Sequence, residues 1–221
     1  MNEHLNLMNN FALGESLFAP EAFFGRAAMR LDREPVPQEI ARLGDEHLNP
    51  DITADGIDFR DAAVLIPVVA RRPEASILLT QRTAHLSAHA GQIAFPGGKI
   101  DPGDASAAAA ALREAEEEIG LSPALVEPLG YLPPYLTRTG YRIIPVIGRV
   151  DPAHNLTINP DEVVDAFEVP LSFLMTPDNH RKGSRIFKGT PRYFYEMPFN
   201  ERYIWGITAG IIRGLYERVY G

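Results

Sequence analysis

The chain has 221 residues, of which 45% are hydrophobic and 23% are charged. This balance predicts one folded domain with a substantial core and excludes global disorder. The formal net charge of −8 argues against a nucleic-acid partner bound through a phosphate-neutralising surface. The absence of cysteine excludes disulfides, thiolate metal sites and a cysteine nucleophile.

Residues 1–60 are predicted to form a helical or irregular extension, and residues 61–221 the main domain. Proline at a first helical position predicts helices at Pro20–Leu31 and Pro37–Leu43. The first residues lack the basic and apolar regions of a signal peptide. The apolar stretch Ile204–Ile212 is too short to span a bilayer. We therefore expect a cytoplasmic protein without a membrane partner.

The main domain is predicted to alternate strands with helices. An apolar run predicts a buried strand at Ala62–Ala70, in which Pro67 indicates an edge position or a bulge. A glycine-rich turn precedes a predicted helix at Ala105–Ile119, for which Asp104 is the candidate N-cap. The further predicted strands are Ala75–Gln81, Leu129–Leu132, Tyr141–Val150 and a short strand within residues 167–175 that leads into a helical turn.

The C-terminal part is predicted to contain a hairpin and a long helix. Arg185–Lys188 and Tyr193–Glu196 flank a Gly-Thr-Pro turn and are typical of a hairpin. In the last helix, predicted at Arg202–Tyr220, glycines recur every four residues from Gly206 to Gly214. This small-residue face indicates close packing within the chain, with a dimer contact as the alternative. The order of elements predicts an α/β fold, an α/β/α sandwich around a mixed β-sheet, with the N-terminal extension attached.

The most informative segment runs from Phe95 to Leu121 and reads FPGGKIDPGDASAAAAALREAEEEIGL. Each helical residue advances by about 100°, so three of its glutamates lie within an arc of roughly 100° on one helix face. These glutamates are Glu114, Glu117 and Glu118. The fourth, Glu116, points elsewhere and is expected to be solvated, while an apolar stripe beside the acidic face is expected to pack on the core.

The acidic face is electrostatically unfavourable by itself. Like charges at these spacings repel, and the helix dipole disfavours anions near the C-terminus. A bound divalent cation reverses this cost, and hard oxygen ligands suit Mg²⁺ or Mn²⁺. A solvated run of charges is the alternative, but the preceding Gly-Gly turn and the capping Gly120 argue against it. The sequence therefore predicts a metal site.

The segment resembles the signature sequence of the Nudix hydrolases. The matching residues are Gly98, Arg113, Glu114, Ala115, Glu117, Glu118, Gly120 and Leu121. Asp104 stands where the family has glutamate, and eight residues instead of seven separate it from Arg113. The resemblance covers roughly residues 62–221. It implies the sandwich fold, hydrolysis of a phosphoanhydride, and the Gly97 carbonyl as a further metal ligand.

The upstream segment LLTQRTAHLSAHAGQIAFPGG is similar to an extension found in the coenzyme A diphosphatase branch of that family. The matching residues are Leu78, Leu79, Thr80, Arg82, Gly91 and Phe95 to Gly98. Thr83 replaces a smaller residue, and Ser87 replaces the branch's second arginine. The resemblance implies that coenzyme A or acyl-coenzyme A is the substrate. Ser87 keeps open another nucleoside diphosphate derivative, such as ADP-ribose or NADH.

Hydrolysis of a phosphoanhydride requires neutralised charge on the phosphoryl oxygens and an aligned, deprotonated water. Arg113 flanks the acidic arc and is interpreted as orienting its carboxylates, ion-paired to Asp104 or Glu117; an ordinary surface pair is the alternative. Glu117 is assigned a catalytic role besides metal binding. The residues assigned to substrate binding are Arg82, Gly97 and Gly98.

The general base is expected on a separate loop. Glu162 is the first candidate, Asp165 and Glu168 are the next, and a glutamate of the acidic face is a further alternative. We expect His85 and His89 to form loop hydrogen bonds and not to bind metal, since hard cations prefer oxygen. A basic cluster, in position to contact a 3′-phosphate or adenine or else simply solvated, comprises His180, Arg181, Lys182, Arg185, Lys188 and Arg192.

Three functions remain open from the sequence. The first is a Mg²⁺- or Mn²⁺-dependent diphosphatase of coenzyme A or its thioesters. The second is a hydrolase of another nucleoside diphosphate derivative. The third is a catalytically silent nucleotide-binding module, against which the intact glutamates argue. In each case the partner is a small molecule, and a homodimer is possible.

Overall fold

The computed structural model describes residues 16–37, 42–51, 56–85, 90–187 and 189–221. The helices are α1 (Pro20–Arg30), α2 (Ala107–Ile119), α3 (Leu171–Leu174) and α4 (Ile207–Val219). The strands are β1 (Arg42–Leu43), β2 (Arg60–Val69), β3 (Ser76–Arg82), β4 (Ile93–Ala94), β5 (Gly97–Lys99), β6 (Val126–Tyr131), β7 (Tyr135–Leu136), β8 (Tyr141–Val150), β9 (Val163–Pro170), β10 (Arg181–Phe187), β11 (Thr190–Phe199) and β12 (Arg202–Trp205). No helix in the described ranges is long and apolar enough to cross a membrane.

The described strands β1 to β9 form one mixed sheet. At its centre β2 and β8 run parallel, from Arg60 opposite Tyr141 to Val69 opposite Val150. On the side away from β8, β2 pairs antiparallel with β5 in the first half of β2 and with β3 at the end of β2. The glycine-rich strand β5 therefore lies at the end of the sheet where β2 begins. Strands β10, β11 and β12 form a separate antiparallel sheet.

Side chains of β2 alternate between two apolar layers, as the period of a strand requires. Ala63 and Leu65 belong to the layer beneath α2, together with Ile119. Ile66 and Val68 belong to the opposite layer, which α1 and α4 cover. Helices therefore cover both faces of the mixed sheet, and the predicted α/β/α sandwich is confirmed.

Part of the N-terminal extension packs on this same core. Helix α1 agrees with its prediction, and its Phe23 and Ala27 are fully buried in the layer of α4. The helix predicted at Pro37–Leu43 is wrong at its end, because Arg42–Leu43 forms β1 and pairs with β7. Pro37, its predicted first residue, is not helical, and residues 38–41 lie outside the described residues. The domain boundary after residue 60 stays a prediction.

Pairing between strands also corrects the last predicted helix. Residues Arg202–Trp205 form β12 along β11, and α4 begins only after Gly206, whose φ is +62°. An added Cβ at Gly210 would lie 2.7 Å from the Tyr135 hydroxyl oxygen. The glycine at this position therefore allows close packing within the chain.

Two further differences concern strands. Pro67 was predicted at an edge or a bulge, yet β2 is central; Pro67 lies between the residues paired with β5 and those paired with β3. Strand β7 lies between β6 and β8, where no strand was predicted. The predicted hairpin is confirmed and is longer, since β10 and β11 pair from Arg181 opposite Glu196 to Phe187 opposite Thr190.

Candidate active site

Helix α2 carries the acidic face, and both its ends are fixed locally. The Ser106 hydroxyl caps the N-terminus by accepting a hydrogen bond from the N–H of Ala109 at 3.1 Å. The predicted N-cap, Asp104, is therefore wrong. At the C-terminus Gly120 has a φ of +67°, which a residue with a side chain adopts only with strain.

The three predicted metal ligands differ in exposure along this face. The exposed fraction of the side chain is 3% for Glu118, 17% for Glu114 and 56% for Glu117. Glu116 is exposed, as predicted. The acidic face therefore runs from a buried carboxylate to one that solvent and a ligand can reach.

Glu118 is the buried carboxylate. Its Oε2 accepts the N–H of Gly97 at 3.2 Å, and its Oε1 accepts from Nη1 of Arg82 at 3.3 Å. Burial raises the pKa of Glu118 to about 7, against the opposing effects of these two donors, and the charges of Glu114 and Glu162 add to the rise. The loss of hydration therefore raises the pKa of Glu118 by more than the charge of Arg82 and the N–H of Gly97 lower it.

Glu114 lies directly against the Gly-Gly turn. A Cβ added to Gly98 would lie 2.5 Å from Glu114 Oε2, and one added to Gly97 would lie 2.4 Å from the carbonyl oxygen of Ala63. Both positions therefore require glycine, Gly98 for its contact with Glu114 and Gly97 for its contact with the backbone of β2. Burial raises the pKa of Glu114, and the charges of Glu117 and Glu162 add to the rise.

Arg113 connects the preceding loop to the acidic face. Its Nε and Nη2 donate to the two carboxylate oxygens of Asp104 at 3.0 and 3.1 Å. Its Nη1 donates to Glu114 at 3.0 Å and to Glu117 at 3.1 Å, while Nη2 also reaches the carbonyl oxygen of Lys99 at 3.2 Å. The predicted ion pairs with Asp104 and Glu117 are both present. The Arg113 guanidinium, together with a backbone N–H, lowers the pKa of Asp104.

Arg82 ends β3 beside the buried carboxylate. Its side chain is 24% exposed and donates to Glu118. Its Nε is buried, and none of the described residues accepts a hydrogen bond from it. The guanidinium is therefore held next to the acidic face, and its Nε has no acceptor among the described residues.

Glu162 reaches the site on the loop that follows β8. The N–H groups of Thr157 and Asn159 donate to the carbonyl oxygens of Ile119 at 2.8 Å and Glu118 at 2.9 Å. These carbonyls belong to the end of α2, where a helix leaves acceptors free. The Asn159 amide then donates to Glu162 Oε1 at 3.2 Å. The loop is thus fixed to the acidic helix by its backbone.

The two alternative bases are engaged in other ion pairs. Asp165 accepts from Nη2 of Arg202 at 2.6 Å. Glu168 accepts from Arg71 at 2.8 Å and from the hydroxyl of Ser76, which is the first residue of β3, at the opposite end from Arg82. Of the three candidates, Glu162 is the one whose charge raises the pKa of both Glu114 and Glu118.

The histidines and the basic cluster separate in space. His85 Nε2 lies 3.2 Å from the Asp161 carbonyl oxygen, which confirms the expected loop hydrogen bond. His180 is buried and lies 2.7 Å from the Leu174 carbonyl oxygen. Arg185 and Arg192 line a different cleft. Three predicted residues lie outside the described part of the chain: Ser87, His89 and Lys188.

A divalent cation fits the donors of the acidic face. Within the described residues, no three histidine or acidic side chains converge closely enough to hold a metal ion as arranged, and Arg113 bonds to two of the glutamates. The donors are nevertheless hard oxygens, and burial together with mutual repulsion raises the pKa of Glu114 and Glu118. A cation relieves this unfavourable electrostatics. The ligand assignment, including the Gly97 carbonyl, stays a prediction.

Sequence reasoning missed Asn159, which holds the Glu162 carboxylate. The Asn159 Oδ1 also accepts the N–H of Asp161 at 3.2 Å. The signal for such a turn was present, because Asn-Pro followed by an acidic residue favours side-chain bonding to the next backbone groups.

Comparison with known proteins agrees with this geometry. The family model described as the NUDIX domain matches residues 59–188. A protein of Escherichia coli (strain K12 / DH10B), named uncharacterized Nudix hydrolase NudL, is 45% identical over 168 residues, which cover 76% of this chain and 87% of that protein. The protein of the same name from Shigella boydii serotype 4 shows the same identity and coverage.

Two solved structures show a weaker likeness. A MutT/nudix family protein from Enterococcus faecalis is 16% identical with a TM-score of 0.48, and the match covers 78% of this chain and 66% of that one. The NUDIX domain of Shewanella oneidensis NrtR, solved with ADP ribose, is 20% identical with a TM-score of 0.41, and the match covers 58% of this chain and 84% of that one.

The fold and the acidic helix are those of a diphosphatase, a hydrolase of phosphoanhydride bonds. The chain belongs to the Nudix hydrolases, as the family match and the 45% identity to NudL show. Enzymes of this family generally need divalent metal ions.

Proposed function

We propose that this Nudix hydrolase cleaves the phosphoanhydride bond of coenzyme A or acyl-coenzyme A. Water adds to one phosphorus, the bond from this phosphorus to the bridging oxygen breaks, and the bridging oxygen leaves with the other phosphate. The products are 4′-phosphopantetheine, or its acyl form, and adenosine 3′,5′-bisphosphate.

The observation that supports this substrate is the position of Arg82. This arginine belongs to the segment that resembles the coenzyme A branch, and it lies beside Glu118 with 24% of its side chain exposed. An arginine in this position suits a phosphate oxygen, because guanidinium groups bind phosphates with paired, charge-assisted hydrogen bonds. The branch-specific segment and the acidic helix thus meet at one place.

The roles of the other residues follow from their contacts. Glu114, Glu117 and Glu118, with the Gly97 carbonyl, would hold Mg²⁺ or Mn²⁺. When bound, the cation neutralises charge on the phosphoryl oxygens. Arg113 keeps two of these carboxylates in place from the loop side.

The remaining roles concern the water and the substrate. Glu162 accepts the proton of the attacking water, since it is the candidate base whose charge raises the pKa of both Glu114 and Glu118. The assignment of Gly97 and Gly98 to substrate binding stays a prediction, because Ala63 and Glu114 fill the space beside their α-carbons.

A substrate panel tests the proposal. Coenzyme A, acetyl-coenzyme A, ADP-ribose, NADH and nucleoside triphosphates are each incubated with Mg²⁺ or Mn²⁺, and the products are separated by chromatography. We expect the highest kcat/KM for coenzyme A or its thioester. A preference for ADP-ribose would overturn the proposed substrate while keeping the diphosphatase chemistry.

Ser87 favours the alternative, hydrolysis of another nucleoside diphosphate derivative such as ADP-ribose or NADH. This residue stands where the coenzyme A branch has a second arginine. The Ser87→Arg variant is expected to lower the KM for coenzyme A if the position faces that substrate. An unchanged KM would place residue 87 away from it.

A homodimer, a cytoplasmic location and a separate N-terminal domain stay predictions. Size-exclusion chromatography with light scattering would decide the first of these.

A further inference from the structure

A second cleft lies apart from the acidic helix. It has a volume of about 380 Å³ and lies between the β7–β8 turn, the hairpin of β10 and β11, and the start of α4. The residues that give it chemical character are Arg138, Arg185, Arg192, Tyr193, Phe194 and Trp205. Its volume falls within the range of small-molecule sites.

The cleft concentrates positive charge. Arg185 and Arg192 lie directly opposite each other on β10 and β11, a pairing of like charges that destabilises a sheet. Burial lowers the pKa of Arg192, and the nearby charge of Arg138 lowers it further. Three guanidinium groups therefore face one space at a cost that a bound anion would remove.

Two acidic residues, Asp45 and Glu46, also line the cleft. Asp45 accepts a hydrogen bond from the Tyr135 hydroxyl at 2.9 Å. Burial raises the pKa of Asp45 to about 6, so this carboxylate is still largely ionised at neutral pH. The cleft nevertheless has three arginines against two carboxylates, and positive charge remains in excess.

Aromatic rings lie beside these arginines. The Arg185 guanidinium lies 4.2 Å from the centroid of the Trp205 ring, and Tyr203 stacks on the same ring. Tyr193 is about half exposed, and its backbone is held from both sides by the Asn49 amide at 2.9 and 3.0 Å. Exposed rings next to guanidinium groups suit a nucleobase with a phosphate.

The cleft lies at the same end of the sheet as the acidic helix. One row of paired residues crosses the sheet from Lys99 of β5 through Ala62 and Ile143 to Tyr135 of β7. These three steps between strands span roughly 14 Å. The opposite wall of the cleft, at the start of α4, is attached to strand β4, which precedes the glycine-rich turn. The Thr208 hydroxyl donates to the carbonyl oxygen of Ile93 at 2.9 Å.

We propose that this cleft binds the 3′-phosphorylated adenosine end of the substrate, with the 3′-phosphate between Arg138, Arg185 and Arg192. This inference rests on the proposed function, because coenzyme A carries such a phosphate and ADP-ribose does not. The diphosphate then reaches from the cleft toward Arg82 and the acidic face.

A binding experiment tests the cleft without any turnover. Isothermal titration in EDTA compares adenosine 3′,5′-bisphosphate with adenosine 5′-monophosphate, which lacks the 3′-phosphate. Arg138→Gln is the main variant, because this exposed residue lies in a turn, and Arg138→Lys keeps the charge. Arg33→Gln, an exposed arginine outside the cleft and outside the basic cluster, is the control.

Arg138→Gln is expected to weaken binding of the bisphosphate about tenfold, as for one charge-assisted hydrogen bond, and to affect the monophosphate much less. Arg138→Lys should recover part of the loss, and the control should bind like wild type. No binding of the bisphosphate by wild type, equal binding by wild type and Arg138→Gln, or equal losses for both nucleotides would overturn the assignment.

Kinetics separate this inference from the proposed function. The ratio of kcat/KM for coenzyme A to that for dephospho-coenzyme A is expected to fall about tenfold in Arg138→Gln. If coenzyme A is hydrolysed and the ratio does not change, the cleft assignment fails and the proposed function stands. If bisphosphate binding depends on Arg138 but coenzyme A is not hydrolysed, the proposed function fails and the cleft assignment stands.

Discussion

Replacing Glu118 with glutamine should stabilise the metal-free protein at alkaline pH while it removes activity. Glu118 is 3% exposed on its side chain, and its carboxylate has only Arg82 and one N–H as direct partners in the described structure. Glutamine has nearly the same shape and carries no charge, so it resembles the protonated carboxyl. The buried charge that we assign to the metal site is thus a liability for folding.

The size of the effect follows from the pKa. In the folded protein the pKa of Glu118 rises from 4.5 to about 7. Below pH 4.5 the carboxyl is protonated in both states; as pH rises toward about 7, the unfolded chain ionises more easily and the folded state loses stability. This loss amounts to about 3 kcal/mol at alkaline pH. The glutamine variant does not suffer it.

Urea unfolding in EDTA at several pH values measures this difference. The free energy of unfolding of Glu118→Gln should match wild type near about pH 4.5 and exceed it by about 3 kcal/mol near about pH 8. Glu116→Gln, an exposed residue on the same helix, is the control and should show no such dependence. A difference that does not change with pH, or a less stable variant at the higher pH, would refute the argument from burial. With Mg²⁺ added, wild type should gain more stability than the variant, because binding to the folded state is coupled to folding.

Three further substitutions test other parts of the site. Gly98→Ala should lower kcat about a hundredfold, because its Cβ would lie 2.5 Å from the Glu114 carboxylate; Gly103→Ala in the same loop, with nothing within 4 Å, should retain activity, and equal losses in the two would contradict the contact. Glu162→Gln should lower kcat by about 10²- to 10⁴-fold and remove the acidic limb of the pH–rate profile; if Asp165→Asn does so instead, the base is misassigned. Glu117→Gln should lower kcat about a hundredfold or more with an unchanged melting temperature in EDTA, and near-wild-type turnover would exclude Glu117 from the metal site.

Local patterns predicted those elements whose signals lie within the element itself. The apolar run of β2, the strand β8 and the helix α2 follow from periodicity and, for α2, from the glycine at its C-terminal end. In the acidic face, helical geometry alone separated Glu116 from the other three glutamates. Their exposures agree with that separation for Glu116 and Glu118.

Contacts distant in sequence decided what the patterns missed. Residues 202–205 have no local signal against helix, and they become β12 because β11 offers a partner edge. Asp104 was expected to cap α2, but Arg113 binds both its oxygens and leaves the cap to Ser106. The cleft at Arg138 combines three separate segments of the chain, so no single stretch of sequence indicates it.

The way in which α2 ends has a consequence for comparisons between homologues. The loop that delivers Glu162 is attached to α2 through the N–H groups of Thr157 and Asn159 and the carbonyls of Ile119 and Glu118. Backbone groups are common to every residue except proline, so this attachment leaves almost no trace in side-chain identity. Substitutions other than proline at position 157 preserve the hydrogen bond, and the loop can drift in sequence while the carboxylate keeps its place. Alignments that look for shared side chains will therefore overlook how the position of this acid is inherited.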